Sequence, residues 1–169
     1  GDVVVTEYLR DPTAVADADG EWIELYNTTN YTLNLQGWLL TDNSGESAAI
    51  SAPSGSLFVS PGQRVVVGVN ANTASNGGVA LDGTYAFANF RLLNSVDQIV
   101  LRAPDGTEID RIEYDSVAWP SFPGASAGAK PGVYDHVLND NPNNWCSASS
   151  PIGAGPDSGT PHAPNDLCP

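Results

Sequence analysis

Basic residues are scarce in this sequence. Twenty Asp and Glu residues oppose only six Lys and Arg residues, which gives a formal net charge of −14. The basic residues form no run and are Arg10, Arg64, Arg91, Arg102, Arg111 and Lys130. A surface of this sign repels phosphate backbones, so nucleic-acid binding is not expected. The same charge attracts divalent cations and keeps an exported protein in solution.

Long apolar runs and helical periodicity are also missing. No segment approaches the ~18 apolar residues that span a bilayer, and no charged-then-apolar leader is present. No long window repeats apolar residues at i, i+3, i+4 and i+7. The 17 Gly and 13 Pro residues are spread through the 169-residue chain, as is typical of short strands joined by tight turns. We therefore expect one all-β domain, and a start at Gly1 suits a mature secreted protein or an excised domain.

Cysteine is limited to two residues, Cys146 and Cys168, both in a Pro-, Gly- and Asn-rich C-terminal segment. An even count in such a segment favours a disulfide and with it an oxidising compartment. The bond would stabilise the fold by roughly 3 kcal/mol on the chain-entropy model. Two buried free thiols are the alternative, and a metal site is disfavoured because no His or Cys lies at ligand spacing.

Short apolar segments between turn residues predict the strands. The main ones are residues 3–9, 22–27, 37–41, 57–59, 64–69, 98–102 and 107–114. Simple alternation places Val3, Val5 and Glu7 on one face of the first strand. In the second strand, it places Ile23 and Leu25 in the core.

Turn residues separate these strands, and strand-like alternation becomes rare towards the C-terminus. Residues 60–63 predict a type II turn and residues 103–106 a hairpin turn. Beyond residue 120, the only further strand predicted is 133–137. About seven strands indicate a β-sandwich spanning residues 1–169, with a core over about 1–120 and a tail over about 121–169 packed on it.

Several segments, in order along nearly the whole chain, resemble the lamin tail domain family. They are GDVVVTE at 1–7, GEWIELYN at 20–27, LQGW at 35–38, PG at 61–62, LNSVDQI at 93–99, PDG at 104–106, ID at 109–110, NW at 144–145 and GTPHAPN at 159–165. The resemblance implies an immunoglobulin-like β-sandwich. The tail is similar to that of exported bacterial and archaeal members, which are typically accessory modules attached to other proteins.

An acidic segment around residue 20 is the candidate metal site. Asp17 and Asp19 lie two apart before Gly20, so both carboxylates could converge on one Ca²⁺. Further oxygen ligands would come from the nearby Glu7, Glu21 and Glu24. The spacing does not match an EF-hand, because the twelfth position counted from Asp17 is not Glu. The alternative is a solvated acidic loop, with Glu7 and Glu24 bonded to backbone amides.

Catalysis is not expected. Residues 124–128 satisfy the G-x-S-x-G pattern around Ser126, but Pro and Gly flank them where a nucleophile elbow needs a strand and a helix. Only His136 and His162 could act as bases, and both lie in loop-like surroundings. Aromatic residues such as Trp22 and Tyr26 could form a sugar-binding platform, although large aromatics are also expected in a sandwich core.

The leading functional hypothesis is a non-catalytic extracellular or cell-surface module that binds a protein, glycan or surface partner, with calcium as its one candidate cofactor. The contrasting hypothesis is a structural subunit that assembles into a homo-oligomer or filament. Its basis is the N-terminal strand, which has apolar residues on both faces and could complete a neighbour's sheet. A third hypothesis is an accessory targeting domain of a secreted nuclease or phosphatase.

Overall fold

A computed structural model describes residues 1–169. The chain forms twelve short strands, a four-residue helix α1 (Asp17–Gly20) and a 3₁₀ turn at Pro142–Asn144. The strands are β1 Val3–Leu9, β2 Trp22–Asn27, β3 Leu33–Asn34, β4 Leu39–Thr41, β5 Ser47–Ala49, β6 Phe58–Val59, β7 Arg64–Gly68, β8 Gly83–Thr84, β9 Asp97–Arg102, β10 Glu108–Tyr114, β11 Ala127–Ala129 and β12 Trp145–Ser147. Neither helical segment is long or apolar enough to cross a membrane.

Two sheets pack face to face around one apolar core. The larger sheet has the order β12-β11-β1-β2-β7-β8, the smaller has the order β10-β9-β4-β5, and β3 pairs with β6 separately. Inward side chains such as Leu25, Val65, Leu40 and Ile99 alternate with outward ones and fill the space between the sheets. The predicted all-β, immunoglobulin-like sandwich is thus confirmed.

The strands with the clearest alternation agree with prediction. β1 and β2 have the predicted bounds, and Ile23 and Leu25 are fully buried core residues. The type II turn is present, with a bond of 3.0 Å from the Gln63 amide to the Ser60 carbonyl and φ of 69° at Gly62. Local sequence therefore suffices where a strand alternates regularly and ends at a strong turn signal.

A bulge interrupts β1. Val5 pairs with Leu25 and Glu7 pairs with Glu24, so Thr6 is an extra residue without a counterpart in β2. A bulge of this kind reverses the alternation of side chains beyond it.

The reversal changes which face carries each side chain of β1. Val3, Val5 and Tyr8 belong to the core, whereas Glu7 lies on the outer face of the larger sheet. The prediction that Glu7 shares a face with Val3 and Val5 is therefore wrong. Simple alternation fails because the extra residue at Thr6 shifts the register by one position.

Two buried polar side chains satisfy the backbone at the bulge. Asp110, from β10 of the opposite sheet, accepts a 2.7 Å hydrogen bond from the Val5 amide. Asn139 donates to the same Asp110 oxygen at 2.8 Å and to the Val5 carbonyl at 3.3 Å. β11 pairs with β1 only at Glu7 and Tyr8, so these side-chain bonds take the place of strand pairing at Val5.

The segment after residue 120 supplies β11 and β12 to the larger sheet, where β11 pairs with β1. The predicted strand over 133–137 is wrong. The Asp135 carboxylate accepts bonds from the Val137 and Leu138 amides, and this turn is incompatible with an extended strand.

The predicted disulfide between Cys146 and Cys168 is confirmed, with a Cα–Cα distance of 5.5 Å. The domain division at about residue 120 stays a prediction.

Candidate functional site

The five acidic residues predicted as calcium ligands lie in three separate places. Glu7 and Glu24 face each other on β1 and β2, and both are fully buried. Glu21 is also buried, but its carboxylate accepts a 2.9 Å bond from the Leu92 amide in the loop before β9. Asp17 and Asp19 lie on α1 at the surface. No three Asp, Glu, His or Cys side chains are grouped so that they could hold a metal ion. Calcium binding stays a prediction.

Glu7 is enclosed by hydroxyl and amide donors. Its Oε1 accepts hydrogen bonds from Ser126 Oγ and, at 2.8 Å, from the Thr160 amide. Its Oε2 accepts a 2.8 Å bond from Thr160 Oγ1. Burial raises the pKa of Glu7, while the bonds from Ser126 and Thr160 act in the opposite direction.

Glu24 shares the same polar cluster and is the one member paired with a basic residue. Its Oε1 accepts a 2.8 Å bond from Thr6 Oγ1 and lies 3.2 Å from Arg64 Nε. Its Oε2 accepts a 2.8 Å bond from the His162 amide. Burial and the adjacent Glu7 together raise the pKa of Glu24 to about 7. Arg64 pairs with Glu24 alone, so Glu7 depends on hydrogen bonds.

The covering segment is the C-terminal strap, defined here as residues 157–169. It crosses the outer face of the larger sheet, where Thr160 and His162 contact the two glutamates. Further along, Asn165 Nδ2 donates to the Thr6 carbonyl at 2.7 Å and to the Ala129 carbonyl at 2.9 Å. Cys168 then ties the end of the strap to β12. The strap therefore closes the buried polar cluster from outside.

His162 and Asp82 anchor the middle of the strap. His162 Nε2 lies 2.7 Å from Asp82 Oδ2, which also accepts a 2.8 Å bond from the Val66 amide of β7. The hydrogen bond to Asp82 raises the pKa of His162, although partial burial opposes it. The sequence contains no local sign of this contact, because its partners are 80 residues apart.

The G-x-S-x-G segment has a structural role. Ser126 is fully buried, and its hydroxyl bonds to Glu7 rather than to a histidine. The sequence expectation that this segment lacks the setting of a nucleophile elbow agrees with its position just before β11. Trp22, Trp38, Trp119 and Trp145 are all buried as well, so no tryptophan platform faces solvent.

Four of the nine large exposed apolar residues lie on loops at one end of the sandwich, beyond the end of β1. We define the loop-end surface as Leu93, Val96, Val117 and Phe122, all of them exposed. Val96 precedes Asp97, which pairs with Tyr114 at the end of β10. Sequence analysis missed this surface, because exposure of an isolated apolar residue has no sequence signature.

The loop-end surface is bordered by carboxylates. We define its acidic rim as Asp11, Asp17 and Asp115, which are partly exposed. None of the three forms an ion pair. On β10, by contrast, Arg111 pairs with both Glu108 and Glu113. The charge of the buried Arg10 acts on Asp11 and Asp115 without an ion pair, so the three carboxylates keep a net negative charge at the loop end. On the β10 edge, ion pairs compensate the acidic residues.

These features define an immunoglobulin-like β-sandwich domain. The family model described as Lamin Tail Domain matches residues 1–116. The chain belongs to the lamin tail domain family. A search of curated proteins finds no match. Glu7 and Glu24 lie within the matched residues, whereas Ser126, Thr160 and His162, which bond to them, lie outside.

Proposed function

We propose that this chain is a non-catalytic extracellular module that binds a protein, glycan or surface partner on the rigid frame of its sandwich. The observation that carries the proposal is the loop-end surface, where adjacent loops expose apolar side chains beside unpaired carboxylates. The buried polar groups Glu7, Glu24 and Ser126 are already bonded within the chain. We therefore expect a partner to bind at the loop-end surface rather than in a cleft formed by these buried groups.

The disulfide supports the proposed extracellular location. Bonds of this type persist in oxidising compartments and are rare in the cytosol of mesophiles. The Cys146–Cys168 bond closes a loop with a sequence separation of 22. Its stabilising effect, roughly 3 kcal/mol on the chain-entropy model, is available only where the bond stays oxidised.

The proposed function is tested by direct binding. The purified oxidised protein is immobilised and exposed to a glycan array and to a displayed library of peptides. A binding module is expected to retain at least one ligand class saturably, and soluble protein in excess is expected to compete for it. Absence of saturable binding to every glycan and peptide would contradict the proposal.

The self-assembly alternative predicts a different result in solution. β1, on which that alternative rests, lies between β2 and β11, and all of its residues are buried. On its second edge, β11 pairs with Glu7 and Tyr8, and the Asp110 and Asn139 side chains occupy the backbone groups of Val5. Because β1 is covered in this way, we expect a monomer in sedimentation velocity runs from micromolar to millimolar concentration. A sedimentation coefficient that rises with concentration would favour the structural subunit instead.

Calcium is part of the proposal as a stabilising ligand of the α1 acids. Asp17 and Asp19 contact Asn94 and Asn70 at 3.2 Å through single amide hydrogens, which a cation could replace. If calcium binds, millimolar Ca²⁺ raises the melting temperature relative to equal Mg²⁺, and Asp17→Asn with Asp19→Asn abolishes the rise. An unchanged melting temperature at millimolar Ca²⁺ would contradict the calcium hypothesis.

A further inference from the structure

We infer, building on the proposed binding function, that the loop-end surface binds a basic polypeptide segment with apolar side chains. The apolar part of the surface comes first. Val117 is 93% exposed and Phe122 is 70% exposed, and Leu93 and Val96 are exposed on the loop before β9. Apolar side chains grouped in this way, with a polar border, are typical of interaction sites.

Hydrogen bonds hold the loops of this surface in place. The Asp115 carboxylate accepts bonds of 2.7 Å and 2.6 Å from the Val117 and Ala118 amides. The Leu93 amide donates to Asp97 at 2.9 Å, and its carbonyl accepts a 3.0 Å bond from Tyr114 Oη. Both anchors meet at the paired ends of β9 and β10. The backbone of these loops is thus held in place before binding, which lowers the entropy cost of association.

The same framework connects Phe122 to the rest of the surface. The buried Arg10 guanidinium lies over the Tyr114 ring, 4.6 Å from its centroid, and donates to the Pro120 carbonyl at 3.4 Å. Phe122 and Asp11 border the same small cavity as Arg10. Arg10 therefore fixes the loop that carries Phe122 against the end of β10.

The negative charge of the acidic rim favours a basic partner. The acidic rim has no ion pair to Arg or Lys, and the buried Arg10 offsets only part of the charge of its three carboxylates. Lys or Arg residues of a partner would balance the remaining charge. The net charge of −14 adds long-range attraction for a basic chain and repels anionic lipid surfaces. A glycan is disfavoured here because all four tryptophans are buried. A polypeptide with basic and apolar residues complements both the acidic rim and the exposed apolar side chains.

The test follows backbone amide signals of the ¹⁵N-labelled protein during titration with a synthetic peptide of alternating Lys and Leu. Two control peptides replace Leu by Ser or Lys by Glu. We expect saturable shifts in residues 93–96 and 115–118, and affinity about tenfold higher than for either control peptide. Shifts centred on another surface, or equal affinity for the Lys–Ser peptide, would overturn the inference.

Variants separate the surface from general attraction. Val96→Ser with Val117→Ser is expected to weaken binding about tenfold, and Asp11→Asn with Asp17→Asn is expected to weaken it and to reduce its salt dependence. The matched control is Val137→Ser with Leu138→Ser, two exposed apolar residues beside His136, which contacts Gly1 at the opposite end. An equal loss in the control pair would overturn the inference. If glycans or other peptides bind elsewhere, the proposed function stands and this assignment fails; without saturable binding of any ligand, both fail.

Discussion

The melting temperature of this protein is expected to rise by roughly 10 °C when the pH is lowered from 8 to 5. Burial raises the pKa of Glu21 to about 9, and it raises the pKa values of Glu24 and Asp110 to about 7. Above its ordinary pKa, such a carboxyl ionises in the unfolded chain while it stays protonated in the folded one. The contribution of such a group to stability is therefore complete at and below its unfolded pKa, and it falls as the pH rises until the pH passes the folded pKa.

Other titrating groups limit the range of this effect. The hydrogen bond to Asp82 raises the pKa of His162, so their ion pair also stabilises the fold on the acid side and is lost as the pH rises. Amide donors lower the pKa of Asp135, and bonds from Ser150 and Ser149 lower that of Asp166. These two groups stabilise the fold above their unfolded pKa and lose that contribution below about pH 4. We expect maximum stability near pH 5.

Asp110→Asn isolates one of the buried groups. Asp110 Oδ2 accepts both hydrogen bonds of the side chain, and its buried Oδ1 has no partner, so Asn can keep both bonds without a charge. Thermal unfolding at both pH values should show that the variant is stabilised more at pH 8 than at pH 5, by about 2–3 kcal/mol.

Glu113→Gln, at an exposed position of the same strand, is the control and should leave the pH dependence unchanged. A wild-type melting temperature that is lower at pH 5 than at pH 8 would contradict this account. So would an Asp110→Asn effect that is the same at both values.

Removal of the C-terminal strap is expected to cost most of the stability of the fold. Deleting residues 157–169, with Cys146→Ser to avoid a free thiol, takes away the Thr160 and His162 donors of two buried carboxylates. It also removes the disulfide, worth roughly 3 kcal/mol. Lost partners of buried charged groups cost about 3–5 kcal/mol, and total stability is typically about 5–15 kcal/mol. Circular dichroism should show a chain that is unfolded at 25 °C or melts far below the full-length protein.

A milder change tests the same contact without removing the chain. Thr160→Val keeps the shape and the backbone amide but loses the hydroxyl bond to Glu7, and we expect a loss of about 1–3 kcal/mol. Leu167→Ser, on an exposed side chain of the strap, serves as the control and should stay within about 0.5 kcal/mol. A truncated chain with an unchanged melting temperature would show that the strap is not part of the folded unit.

The sequence by itself determined the features that depend on neighbouring residues. Alternation and turn chemistry located β1, β2 and the turn at Gly62, and Cys content indicated the disulfide. The very short strands β3, β5, β8, β11 and β12 were not predicted. Segments of two or three residues are too short for a periodic pattern, and their pairing partners alone make them strands.

Tertiary structure alone decided where the acidic residues lie. The bulge at Thr6 turned Glu7 to the outer face beside Glu24, and a strap more than 130 residues away covered both. The sequence left open whether these carboxylates are metal ligands or partners of backbone amides. In the structure they accept hydrogen bonds from the Thr160 and His162 amides, and metal binding stays a prediction. Such contacts join residues far apart in the chain, so only the packed sheet brings donor and acceptor together. The same packing gathered the loops of the loop-end surface.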